Sequence, residues 1–248
     1  MQHELVSPQR RTGRIRNPSF EDTDYLLDEA ALRGIRAVQS KRRARPWRIG
    51  EILDQGDSDE CVVFTYAAFR QAAPFFCARI PWTRRQFTER YKLSQQLDEI
   101  PGENYAGTTA RGALKAAQSQ GEITGFLWVP PTDGEDIAKE YLITRGPLMQ
   151  GTDWPAAFFN PDRHGYVRPE DSPRAALGHE TLVRWYHGPK HYKYPDSYEC
   201  VNSWGRSYGL NGRFFIKADV FRWLHWQCGG DLCSPIEAER MKAGHINL

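Results

Sequence analysis

The 248-residue chain contains no uninterrupted apolar run approaching the roughly 20 residues that span a bilayer, the longest lying around Cys61 to Phe69. A transmembrane segment is excluded, and no association with a membrane is expected. The first twenty residues lack the apolar core and small-residue cleavage site of a secretory signal, so synthesis in a cytoplasm is expected. Cysteine is scarce: Cys61, Cys77, Cys200, Cys228 and Cys233 are five residues scattered over a long chain, whereas secreted disulfide scaffolds pack even numbers into short ones. At least one thiol is therefore expected to be free. Neither sign of charge dominates, since 33 Lys and Arg against 31 Asp and Glu leave +2. No global field marks the protein as a nucleic-acid or anionic-membrane binder. What is abundant is core-forming material: 40% apolar residues, 12% aromatics and eight Trp, far above a disordered chain.

Residues 1–50 stand apart, with eleven Lys and Arg against six Asp and Glu and a basic cluster at Lys41, Arg42, Arg43, Arg45 and Arg48. They are expected to form an extension strapped to the domain surface. The rival reading, a phosphate-binding tail, lacks interleaved aromatics, so nucleic acid is not expected as a partner. Assembly contacts to other proteins through this extension are a further expectation. A short helix is predicted over Asp24 to Val38.

From Asp57 the pattern is helical, with Asp57 or Ser58 as cap and an apolar series Val62, Tyr66, Phe69 and Ala73 ending at Pro74. Further helices are predicted at Thr83 to Leu97 and from Thr108 or Thr109 to Gln120, with a strand at Ile123 to Val129 and a helix after Thr132. Strands then dominate: Leu148 to Thr152, His179 to Tyr186, Tyr198 to Ser203 and Arg213 to Lys217. Ala218 to Gln227 is expected to close the domain as a helix. The order implies an α+β fold, a helical half at about 51–140 and a β half at about 141–227, followed by a tail at 228–248.

Cys61 falls in the first turn of its helix, where unpaired N–H groups and the helix dipole favour a thiolate. Position alone balances this against an inert buried thiol. His179 precedes an apolar strand, and Asn202 opens Asn202-Ser203-Trp204-Gly205. The order Cys, His, Asn, with more than a hundred residues after the Cys, suits an acyl-transfer site built from two halves of a cleft.

With these residues the chain resembles the papain-like cysteine peptidases, from about Trp47 to Phe221. Asp54-Gln55-Gly56 followed by Cys61 is similar to the family's Gln-Gly segment six residues before the nucleophile. Gly178-His179 with Thr181-Leu182-Val183 is similar to its Gly-His strand, and Asn202-Ser203-Trp204-Gly205, Tyr208-Gly209 and Asn211-Gly212-Arg213 to its Asn-Ser-Trp-Gly series. Gly107-Thr108-Thr109 and Gly146-Pro147 fall where the family has its substrate-strand glycine and its Gly-Pro strand. Arg45 to Trp47, Pro161-Asp162 to Gly165 and Glu180 look more like bacterial and phage members than lysosomal ones.

The resemblance implies a two-lobed papain-like fold with the active site in the cleft. It also implies hydrolysis of peptide or isopeptide bonds through a thioacyl-enzyme. Cys61 would be the nucleophile, His179 its acid-base partner, and Asn202 the residue that orients the imidazole under Trp204. Gln55 and the Cys61 N–H would form the oxyanion hole. Substrate would lie near Gly107, Gly178 and Trp204; the partner would be a polypeptide, and no metal or organic cofactor is required. Four departures weigh on this. Asp59 and Glu60 stand where the family has small residues, bringing negative charge near the thiolate. Val62 replaces a Trp, Ser58 a disulfide Cys, and Glu180 an Ala. The alternative is a papain-like binding or structural module, such as a component of a phage particle, with weak or no turnover. The leader of about 50 residues is shorter than the inhibitory prosegments of secreted relatives and is expected to belong to the mature fold. His187, His191 and Cys200 have partial zinc-site spacing without a CxxC, and Cys228 and Cys233 are read as thiols.

Overall fold

A computed structural model describes residues 11–17, 25–27, 45–75, 82–102, 105–131, 134–169 and 178–237. Four helices carry the first half: α1 (Cys61–Arg70), α2 (Arg84–Leu97), α3 (Ala110–Ser119) and α4 (Gly134–Thr144). Eight of the ten residues of α1 are buried, which matches a sequence apolar on every side. Its neighbour α2 is polar and buries only Phe87 and Ser94. Thr83 starts that helix through a reciprocal capping box with Gln86, the arrangement that satisfies two otherwise orphaned N–H groups. Thr109 caps α3 by accepting from the Gly112 N–H.

A seven-stranded sheet forms the other layer, in the order β1-β2-β7-β3-β4-β5-β6. Its strands are β1 (Tyr25–Leu26), β2 (Ile123–Trp128), β3 (Leu148–Thr152), β4 (His179–His187), β5 (Ser197–Val201), β6 (Arg213–Lys217) and β7 (Asp231–Glu237). Every pairing is antiparallel except β1 with β2. A short helix α5 (Ala218–Arg222) continues into a single π turn, Trp223–Gln227.

The α+β arrangement is as expected, with two corrections. Residues 231–237, expected within a C-terminal tail, form β7, which sits inside the sheet between β2 and β3. The stretch is short and interrupted by Pro235, so its pairing rests on flanking strands from both halves of the chain rather than on local pattern. Tyr25–Leu26, at the start of the expected helix, is strand β1. Residues 24 and 28–38 of that helix, residues 41–44 of the basic cluster and Cys77 lie outside the described residues. Among the described residues, no helix is long and apolar enough to cross a membrane.

Candidate functional site

Two turns and a strand start bring the predicted residues together. The Asp54-Gln55 segment bridges to Ser203-Trp204, with the Gln55 N–H donating to Ser203 O at 2.8 Å and the Gly205 N–H to Leu53 O at 3.0 Å. Gly205, at φ +71°, lies so close that a Cβ would meet Asp54 Oδ2 at 2.5 Å; any other residue would displace the Asp54 carboxylate and strain the backbone at positive φ. The Asn202 N–H donates to Gly212 O at 2.9 Å, which holds the second turn against the first. Helix α1 is pinned to β4 by Thr65 Oγ1, which donates to Glu180 O at 2.9 Å. Cys61, the first residue of α1, thus stands beside the start of β4, where His179 is the first residue.

His179 is completely buried, and its Nε2 meets Asn202 Oδ1 at 2.8 Å. Trp204 stacks on the imidazole with centroids 4.5 Å apart, and Trp154 presents its edge at the same separation. Phe159 and Tyr208 pack on Trp204 in turn. This aromatic enclosure keeps water from the His179–Asn202 bond. The other ring nitrogen, Nδ1, is buried without a hydrogen-bond partner, so thiol and imidazole are not hydrogen-bonded to each other in this arrangement. Burial lowers the His179 pKa to about 4, against the opposing effect of Asn202. Burial likewise pushes the Cys61 thiol up to about 12, although backbone hydrogen bonds at Glu180 and Gly13 oppose it. Both groups are neutral here.

Residues 11–17 run past Cys61, where Gly13 and Arg14 act on the thiol, and, contrary to expectation, are not a strap solvated on the outer surface. Thr12, Gly13 and Arg14 are buried. The Arg14 N–H donates to Gly178 O at 2.9 Å, and the Gly178 N–H to Arg14 O at 3.0 Å. On the other side the Thr108 N–H donates to Gly13 O and the Ile15 N–H to Thr108 O, each at 2.9 Å. A Cβ on Gly107 would fall 2.4 Å from Gly13 O, and one on Gly13 only 1.9 Å from Asp59 O. Gly107 and Gly178, both expected beside a substrate, thus flank the chain's own backbone. Gln55 Nε2 donates to Arg11 O at 3.2 Å and also to Ser58 O, while its Oε1 accepts from Ser203 Oγ at 2.6 Å.

The expected electrostatic conflict lies elsewhere. Glu60 pairs with Arg84 and accepts from Thr88 Oγ1 at 3.0 Å, and Asp59 lies 3.5 Å from Arg11. The carboxyl that raises the Cys61 pKa after burial is Glu180. His187 turns to Glu199 Oε2 at 3.0 Å, and among the described residues no group of three or more His, Cys, Asp and Glu is arranged to hold a metal. Sequence reasoning missed Trp154, Gly13, Arg14, Gly151 and Asp231. One Trp among eight and one Arg in a basic leader carry no distinguishing signal.

No family model matches the chain, and neither does any curated protein. Solved structures do match. A procathepsin L2 proteinase from Tenebrio molitor larval midgut aligns over 95% of this chain and 81% of its own, with a TM-score of 0.63 and 14% identity. Xylellain, a cysteine protease from Xylella fastidiosa, aligns over 92% and 97%, with a TM-score of 0.62 and 14% identity. The chain has the fold of these papain-like cysteine proteases. At 14% identity it is the backbone that is alike, and the chemistry has to be argued from the residues.

Proposed function

We propose that the protein is a cysteine-type peptidase that cleaves peptide or isopeptide bonds through a thioacyl-enzyme on Cys61, held latent by residues 11–17. The observation that carries this reading is the His179–Asn202 bond of 2.8 Å beneath Trp204, with Nδ1 left without a partner. An imidazole fixed through one nitrogen and unoccupied at the other is oriented to take a proton from a nucleophile and return it to a leaving amine. Cys61 would attack the carbonyl carbon, and the tetrahedral oxygen would lie between its backbone N–H and the Gln55 amide. Losing one such donor costs about two to three orders of magnitude in rate. The Gln55 amide now holds the Arg11 carbonyl, which supports reading the strap as an occupant of the substrate channel. The neutral pair is then a property of the covered state, because the same groups exposed to solvent would not carry the burial penalty. The two-lobed arrangement, residues 51–248 as the peptidase domain and the bacterial or phage-type subgroup belong to this proposal.

A second reading, a papain-like binding or structural module, is favoured by the zero exposure of Cys61. Gly13→Ala separates the two, because its methyl group cannot coexist with the Asp59 carbonyl and should lift the strap. We expect peptide hydrolysis by Gly13→Ala that disappears in Gly13→Ala/Cys61→Ala. Equal hydrolysis by both variants would refute the role of Cys61. Hydrolysis by neither, with Cys61 alkylating like an ordinary thiol of pKa about 8.5, would leave the binding module standing.

A further inference from the structure

Arg14 leaves the strap sideways and enters a pocket between β3, β4 and β7. Only 1% of its surface is exposed. Its Nη2 pairs with Asp231 Oδ2 at 2.5 Å, and Asn17 Nδ2 donates to the same oxygen at 3.0 Å. Opposite lies Glu180, fully buried, with neither carboxyl oxygen hydrogen-bonded; Asp231 Oδ1 is in the same condition, as are Arg14 Nε and Nη1. Gly151 makes the room: a Cβ there would fall 2.4 Å from Arg14 Nε, 2.5 Å from Asp231 Oδ1 and 2.6 Å from Glu180 Oε2. A cavity of about 300 Å³ adjoins the guanidinium, with Asn17, Trp128, His225 and Asp231 among its walls.

A fully buried carboxyl beside a second, largely covered one is costly unless a cation meets them, and a hydrophobic core needs neither. Burial first, and Asp231 second, hold the Glu180 carboxyl well above its ordinary range, with Arg14 opposing. The main chain of Arg14 is meanwhile paired to Gly178 through both its N–H and its C=O, immediately before His179. Paired backbone next to the imidazole and side chain in a dedicated pocket is how a peptide residue is read. A planar fork with several N–H donors suits two facing carboxyls better than the compact charge of lysine.

We propose that the Glu180–Asp231 pocket under Gly151 is the specificity pocket of this site, that it selects peptides carrying arginine, and that Arg14 is its resident occupant. As a statement about substrates this rests on the peptidase reading; as a statement about guanidinium recognition it does not. The test therefore uses binding. In the full chain carrying Cys61→Ala and Arg14→Ala, N-acetyl-arginine methylamide is titrated by calorimetry beside its norleucine and glutamate counterparts. Because Arg14 is buried, the titration is repeated on Arg14→Met, which keeps most of the stem volume and drops the guanidinium.

The arginine probe is expected to bind at least tenfold more tightly than either counterpart, and the preference to vanish when Asp231→Asn is added. A preference below tenfold, or one that survives Asp231→Asn, overturns the assignment. If arginine is preferred but Gly13→Ala hydrolyses no peptide, the pocket stands and the peptidase reading falls. Hydrolysis without arginine preference has the opposite meaning.

Discussion

With residues 11–17 in place, desolvation decides the charge of the central pair: the thiol is raised to about 12 and the imidazole lowered to about 4. On the proposed reading, lifting the strap restores solvent to Cys61 and moves the thiol back toward its ordinary value. The alkylation rate of Cys61 by iodoacetamide at pH 7, read by mass spectrometry, is therefore expected to rise at least tenfold in Gly13→Ala. A rate equal to that of the wild type would mean that the strap does not control the thiol. Asn202 holds the His179 imidazole through its 2.8 Å bond, and on the proposed reading that orients the base. Asn202→Ala in the Gly13→Ala background should lower kcat for peptide hydrolysis by roughly tenfold or more, with a smaller change in KM. An oriented base acts in the transition state; loss of folding alone would instead lower the active fraction, which titration of Cys61 would register.

Helix α1 and strand β4 carry the two halves of the candidate site, Cys61 and His179, and the Thr65 hydroxyl joins them by donating to Glu180 O. Thr65→Val keeps the side-chain shape and removes the donor. It is expected to cost about 1 kcal/mol, measured by urea unfolding, and to lower activity in the Gly13→Ala background because Cys61 and His179 are set by these two elements. An unchanged midpoint would show that packing alone holds α1 on β4. Helices α1, α2 and α3 and strands β3 and β6 were legible locally, since caps such as Thr83 and Thr109 and runs of β-branched and aromatic residues act within a few residues. Strands β1 and β7 were not, because two residues and a proline-interrupted segment acquire strand geometry only from partners distant in sequence.

Across the whole molecule, buried titratable groups set the acid stability. Burial by itself would raise the Glu199 pKa, but His187 and Arg184 bring it down to about 2. A carboxyl depressed in the folded state contributes stability above its unfolded pKa and loses it as pH falls through the folded one. Glu199 therefore stabilises fully above about pH 4.5 and loses roughly 3 kcal/mol by about pH 2. His225, lowered by burial and then by Arg14 to about 3, acts with His179 in the same direction, starting as pH falls below about 6.5. Glu180, raised in the folded state by burial, opposes the histidines above about pH 4.5 and falls silent below it, so urea midpoints should decline most clearly between about pH 4.5 and pH 2. In Glu199→Gln the step below pH 4.5 should shrink, on a protein already less stable at neutrality; an undiminished step would assign it to other carboxyls.

Gln55, Cys61, His179 and Asn202, with Gly178 and the Asn-Ser-Trp-Gly turn, carry the resemblance that implied the candidate chemistry and the papain-like fold. Each of those signals is carried by neighbouring residues whose backbone conformation is locally determined. Nothing local distinguishes Gly13 and Arg14 from the rest of a basic leader, or Asp231 from any polar residue after a glycine pair. Their roles arise when β7 inserts beside β3 and the strap lies between Gly107 and Gly178, which brings residues 14 and 231 into an ion pair. Sequence determined which groups are candidates for the chemistry; the tertiary structure decided that they are covered, and by which segment, because burial and long-range pairing depend on the folded chain as a whole.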